Sequence, residues 1–217
     1  FIIFYNTLSN IFFFNLTKNN SKIKILFITR KVYERKLKNG LFTDRLINPL
    51  IKLLENATAP QKIIIDKYFP NNLSQIKHLM PKPGIYYKTY GLVKAYNNKK
   101  LDQFIGLILN KLEINNKTNL ESIKLDFAFY YSWHKLNNKY LAKFSKLNKI
   151  VLLGWYFPEM MGIISSAREN NIVSYDLQHG KQGRYQAMYS GWKNIAEIKF
   201  YQNMPNYFLN WDDYSKE

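Results

Sequence analysis

Cysteine is absent from all 217 residues. That excludes a disulfide framework and any thiolate metal site, and it fits a reducing cytoplasm. Histidine is scarce too. His78, His134 and His179 stand far apart in the chain, and three such histidines without cysteine do not make a zinc site. Acidic residues are outnumbered, 15 against 32 lysines and arginines, for a net charge of +17. Such an excess calls for an anionic partner: nucleic acid, anionic lipid or a phosphorylated substrate. Much of it is lysine beside asparagine, as in Asn97-Asn98-Lys99-Lys100 and Asn137-Asn138-Lys139, a texture that AT-rich coding produces without any selected binding surface. Long hydrophobic runs are also missing. The opening FIIFYNTLSNIFFF is broken by Asn6, Thr7, Ser9 and Asn10. It is too short to span a bilayer, has no basic leader or small-residue cleavage site, and reads as a buried strand and turn.

What is present is globular: 47% hydrophobic and 22% charged residues, enough for a sizeable core in a single domain spanning 1–217. The aromatic residues fall at core-compatible spacing, with no dense basic and aromatic cluster of the kind that stacks bases.

KIKILFIT (22–29) reads as a buried strand, followed by a polar loop over 30–40. Thr43 is placed to cap a helix running through Asn56, with Leu46, Ile47, Leu50, Leu53 and Leu54 on one face. A short strand covers 63–66, and Pro70, Pro81, Pro83 and Gly84 mark a loop-rich middle. Helices are expected over 101–112 and 119–147, strands over 150–153, 172–177 and 206–210, and a Pro158-led helix through Asn170. The alternation predicts an α/β fold: a Rossmann-like parallel sheet with helices on both faces. Ligands of such sheets bind beyond the carboxyl ends of the strands, which aligns three stretches along one edge: 154–159, 178–180 and 211–213.

On that edge, His179 follows a strand end, where an imidazole is suited to take a proton from a hydroxyl. An imidazole there also serves simply by bonding loop backbone. Gly180 and Gly183 permit close ligand approach, and Lys181 and Arg184 supply positive charge. The stretch GKQG is neither a Walker loop nor a dinucleotide fingerprint. Glu159, in the first turn of a helix, is a candidate base or sugar-hydroxyl ligand, or a complement to the helix dipole. Asp44 has the same two readings, with the structural one favoured.

GWYFPEMMGIISSAREN, the strand into Asp176-Leu177-Gln178-His179-Gly180, and MPNYFLNW at 204–211 together resemble bacterial capsule and O-antigen polysaccharide glycosyltransferases of GT-B type. The resemblance is clearest from Ile150 onward and fainter over 22–56. One departure is Asp212, where the family pattern has glycine after Trp211. The resemblance implies a sugar transferase whose acceptor-binding, N-terminal half is this domain. It places a nucleotide-sugar donor on a second domain outside it, and no cofactor in this half. A base, His179 first, then Glu159 and Asp44, would activate a hydroxyl of a lipid-linked glycan acceptor. Gln178, Gly180, Lys181, Arg184, Trp155 and Trp211 would contact substrate, and no metal is implied. The location implied is cytoplasmic, peripheral at the inner face of the membrane, where lysines gain from anionic lipid. The competing expectations are a non-catalytic basic module for nucleic acid or anionic membrane, and a scaffold that kept the fold. Nucleic acid is disfavoured by the βα alternation and the lack of a nucleic-acid motif.

Overall fold

Strands rich in β-branched residues and leucine, each followed by a helix, can bury both faces only as a parallel sheet between helical layers. The computed structural model has this architecture; it describes residues 23–30, 34–36, 42–58, 61–65, 82–111, 113, 117–178 and 203–210. The elements in chain order are β1 (Ile25–Arg30), β2 (Glu34–Lys36), β3 (Phe42–Asp44), α1 (Ile47–Thr58), β4 (Gln61–Ile65), α2 (Ile85–Tyr96), α3 (Lys99–Lys111), α4 (Lys117–Leu141), β5 (Lys149–Leu152), α5 (Pro158–Glu169), β6 (Val173–Leu177) and β7 (Tyr207–Leu209). The main sheet runs β4-β1-β5-β6-β7, and every pairing in it is parallel. The register sets Ile25 beside Lys149 and Lys149 beside Val173.

Because side chains alternate across a strand, the two sheet faces separate cleanly. Ile25, Phe27, Val151, Leu153 and Leu177 pack against Ile47, Leu50 and Leu54 of α1. Leu26, Ile28, Ile150 and Leu152 pack against Trp133, Tyr140 and Leu141 of α4 and Met160, Ile163, Ile164 and Ala167 of α5. The winding direction explains the division. From β1 the chain crosses through α1 to β4 on one side. From β5 it crosses through α5 to β6 on the other. Right-handed crossovers running in opposite directions place their helices on opposite faces.

A third cluster lies outside this sandwich. Ala95, Leu101, Ile105 and Ala128 are buried together with Leu120, Ile123 and Phe127 against them, so α4 carries α2 and α3 on its outer side. Two glycines let α4 be approached closely from both sides. A Cβ on Gly91 of α2 would stand 2.1 Å from the Ala128 carbonyl oxygen, and one on Gly162 of α5 would stand 2.8 Å from the Tyr130 carbonyl oxygen.

Several boundaries differ from the sequence expectations. The polar stretch after β1 contains an antiparallel hairpin, β2 paired with β3, whose charged segments carry no alternating apolar signal. The loop-rich middle contains α2, a full helix hidden by aromatic and β-branched residues and by Gly91, whose low helix propensity is offset by its contact with α4. The opening segment, Pro70, Pro81, His78 and the expected 211–213 edge stretch lie outside the described residues.

Candidate functional site

In the sheet, the strand order reverses between β1 and β5. Counted along the main-sheet strands in chain order, the arrangement is 2-1-3-4-5. Both common doubly wound orders contain such a reversal, and the crevice it opens at the carboxyl ends of the strands is where ligands bind. Three chain segments meet there: the end of β1 with Thr29 and Arg30, the turn from β5 into α5, and the end of β6 with Asp176 and Gln178.

The turn off β5 is made by Gly154, whose φ of 76° is accessible to glycine at little cost. The chain then enters α5 with Phe157 at the N-cap and Pro158 directly after it, and no side chain caps the helix. Glu159 in the first turn compensates the positive end of the helix dipole. It also reaches across to β1: an Arg30 Nη2 lies 3.5 Å from its Oε1. The same guanidinium sits 3.9 Å from the centre of the Phe157 ring, a cation–π contact that holds Arg30 over the start of α5. Glu159 is only 8% exposed, and a carboxylate so buried is ordinarily paired.

Beside it, Asp176 is buried at the end of β6 and its Oδ1 accepts from the backbone N–H of Trp155 at 3.2 Å. That bond ties the β5–α5 turn to β6. Tyr156 in the same turn feels both Asp176 and Arg30. Burial raises the pKa of its phenol, the Asp176 charge raises it further, and Arg30 partly offsets both. Tyr156 therefore keeps its proton at neutral pH and presents an O–H group. Arg30, Glu159, Asp176 and Tyr156 together form a compact polar group of one cation, two carboxylates and a phenol beside an uncapped helix start. Such a set is suited to the hydroxyls of a polar, uncharged ligand better than to a bare phosphate, which would meet both carboxylates.

Asp44 also comes to this edge, but its carboxylate is spent. Its Oδ1 accepts from the N–H groups of Leu46 and Ile47, each at 2.9 Å, and its Oδ2 accepts from the Thr29 hydroxyl. Asp44, not Thr43, is thus the residue that caps α1, and the helix begins at Ile47. The hydroxyl of Thr43 instead accepts from Asn48 Nδ2 at 2.7 Å. The candidate base Asp44 is fully buried and engaged by three donors, and it locks α1 to the end of β1.

Trp155, expected to contact substrate, has its side chain fully buried in the core between the sheet and α5. Gln178 is buried at the end of β6, where its N–H donates to the Leu209 carbonyl at 3.0 Å and extends the β6–β7 ladder. His179, Gly180, Lys181, Arg184 and Trp211 lie outside the described residues. His134, on α4, stands apart from the edge: its Nε2 is 3.0 Å from Glu169 and its ring stacks on Tyr130. Among the described residues no group of three or more His, Asp or Glu is placed to hold a metal ion, and no helix is long and apolar enough to cross a membrane.

Arg30, Tyr156 and Asp176 are the residues sequence reasoning missed, Asp176 reading only as part of a strand. Arg30 opened what looked like a polar loop, and only the pairing of β1 with β5 brings it to Glu159. Tyr156 belonged to a stretch already assigned to this edge, yet nothing in its spacing distinguished it from the core aromatics beside it. The chain matches no protein-family model, no curated protein and no solved structure.

Proposed function

We propose that this domain is the acceptor-binding part of a GT-B-like glycosyltransferase that builds bacterial surface polysaccharide. The observation that carries the reading is the convergence of Arg30, Tyr156, Glu159 and Asp176 at the β1/β5 reversal, directly before the Gln178-His179-Gly180 stretch. Carboxylates and a protonated phenol beside a crevice are suited to orienting sugar hydroxyls, and His179 supplies the group to deprotonate one of them. In this reading Glu159, committed to Arg30, positions the acceptor. His179 takes the proton as the acceptor oxygen attacks the anomeric carbon of a nucleotide-activated sugar. The C–O bond to the sugar forms, and the bond to the nucleotide phosphate breaks, with the nucleotide as leaving group. That donor is bound by a second domain, and Lys181 and Arg184 meet its phosphates or those of the acceptor.

The test is sugar transfer by the complete natural protein, using a panel of nucleotide sugars and a glycan carried on lipid pyrophosphate. Transfer of one sugar that is lost in the His179→Ala variant supports the reading. Absence of transfer with every donor, together with steeply salt-dependent binding to nucleic acid, overturns it in favour of a basic binding module. The 217 residues alone are expected to transfer no sugar, and robust transfer by them overturns the assignment of this domain to the acceptor side.

A further inference from the structure

Helix α4 outruns its neighbour α5. Its 25 residues extend about 37 Å, against about 18 Å for the 12 residues of α5. The two run side by side toward the amino edge of the sheet. Tyr130 donates to Ser165 at 3.0 Å, the His134 carbonyl accepts from Ser166 at 2.8 Å, and Asn138 Oδ1 accepts from Asn170 at 2.8 Å. Gly162 lies against Tyr130, one turn into α5, so α5 starts level with Asp126. The part of α4 before Asp126 therefore rises about 14 Å beyond the start of α5, past the carboxyl edge of the sheet.

What this overhang faces is set by the helical phase. Leu125, Phe129, Trp133, Leu136 and Tyr140 fall on one stripe of α4. Trp133 and Tyr140 are buried in one cluster with Ile28, Leu152 and Met160. Phe129 and Leu125 carry the same stripe upward, 42% and 53% exposed, and the Phe129 ring meets Trp133 edge-on at 6.2 Å. Alongside the sheet the stripe is core; beyond the sheet it is bare. Strand β1 brings the polar group to this level. Arg30 is two residues past Ile28 on the same face, about 6.6 Å nearer the carboxyl edge. Phe129 stands one turn, about 5.4 Å, past Trp133 in the same direction. The apolar pair is thus a wall continuous with the corner where Arg30 meets Glu159 and Phe157.

An apolar wall beside a few convergent polar groups is the composition of a site for a ligand that carries both kinds of surface. A sugar ring does. Its hydroxyls bond at the rim, and its faces present C–H groups whose burial on an aromatic ring takes apolar area out of water. The wall begins a full turn away from the polar group, so one ring cannot fill both. We infer that Phe129 and Leu125 form the second subsite of an extended glycan site, with one ring held by the polar group and the next stacked on Phe129. This rests on the transferase reading and deepens it, making the acceptor a glycan of two or more rings. It is measured by binding, without any sugar transfer, so the two fail separately.

The experiment is binding of the complete natural protein to an array of bacterial surface glycans printed beside their component monosaccharides, with no nucleotide sugar present. Binding is expected to glycans of two or more rings and to no monosaccharide. Phe129→Ser should weaken it by about tenfold, and Leu125→Ser by about threefold. Phe129→Trp keeps a ring and should bind within about twofold of the parent, with circular dichroism of all three unchanged. Failure of every glycan to bind overturns the proposal, as does a monosaccharide bound as tightly as its glycan. Glycan binding that neither serine variant alters overturns it as well, even where transfer depends on His179. A concentration-dependent dimer that Leu125→Ser disperses also overturns it, and assigns the stripe to a second copy. Glycan binding that depends on Phe129, in a protein that transfers no sugar, upholds the subsite and removes the transferase reading.

Discussion

At the carboxyl edge of the sheet, Arg30 is answered by Glu159 and Phe157, Asp176 by the Trp155 amide, and Asp44 by three donors. On the outer face of α2, Ile85, Tyr86 and Val93 lie more than half exposed. The two regions differ in how their chemistry is held. The edge is a pre-set polar group whose members position one another, which is what discrimination between small polar ligands requires. The α2 face is a set of exposed apolar side chains, Ile85, Tyr86, Leu92 and Val93, with no partner group among them fixed in place. They also rest on different supports: the edge on the sheet itself, the outer face on a single helix pressed against α4.

The comparison breaks first at the edge. His179→Ala in the complete protein should lower turnover by about 10²–10⁴-fold, the usual contribution of a general base. Glu159→Gln should act mainly on acceptor KM, because it removes a positioning contact and leaves the proton acceptor in place. Steady-state kinetics with varied acceptor separates the two. If Glu159→Gln instead matches the loss in His179→Ala with KM unchanged, the base is Glu159.

Packing of the outer layer comes next. Gly91→Ala forces a methyl group to within 2.1 Å of a backbone oxygen, and overpacking of this kind costs about 1–3 kcal/mol. Gly162→Ala, with contacts at 2.8 Å, should cost less. Urea titration measures both, and a Gly91→Ala protein as stable as the parent would contradict the close approach of α2 to α4.

Asp44 sharpens the contrast between residues that act and residues that hold. Asp44→Ala removes the α1 cap and leaves the Thr29 hydroxyl without its acceptor, for a loss of about 1–2 kcal/mol. Asp44→Asn keeps a capping oxygen and should lose less. Turnover per folded molecule should stay near that of the parent in Asp44→Asn, and a collapse there would return Asp44 to the chemistry.

The smallest effect appears only in alkali. Burial holds the Tyr140 phenol well above its ordinary value of 10.0. A raised folded-state pKa favours the protonated form, so its contribution is intact below pH about 10 and is lost as pH climbs toward the folded value. Alkaline unfolding, followed by circular dichroism, should therefore begin above pH about 10 and move upward in Tyr140→Phe.

Much of the sandwich was legible because its signals are local. Runs such as KILFIT and KIVL announce buried strands, and Pro158 marks the start of α5. The placement of Glu159 at a strand-to-helix turn followed from the same pattern. The remainder depended on contacts between distant segments. The cap of α1 was assigned one residue too early, since Thr43 and Asp44 are both good capping types and only the reach of Asp44 to Thr29 distinguishes them. Helix α2 was hidden because the residue that weakens it as a helix, Gly91, is the one its packing needs. Arg30 gains its role only when β1 and β5 pair, and nothing local in the sequence separates Trp155, a buried core ring, from its partly buried neighbours.

Activation of a glycan acceptor at the β1/β5 reversal is tested most directly by transfer of sugar to a lipid-pyrophosphate-linked glycan in detergent by the complete natural protein, comparing the parent with His179→Ala. The expected result is a loss of about 10²–10⁴-fold in turnover with an unchanged melting temperature. Turnover within about twofold of the parent, far below what a general base contributes, would contradict it.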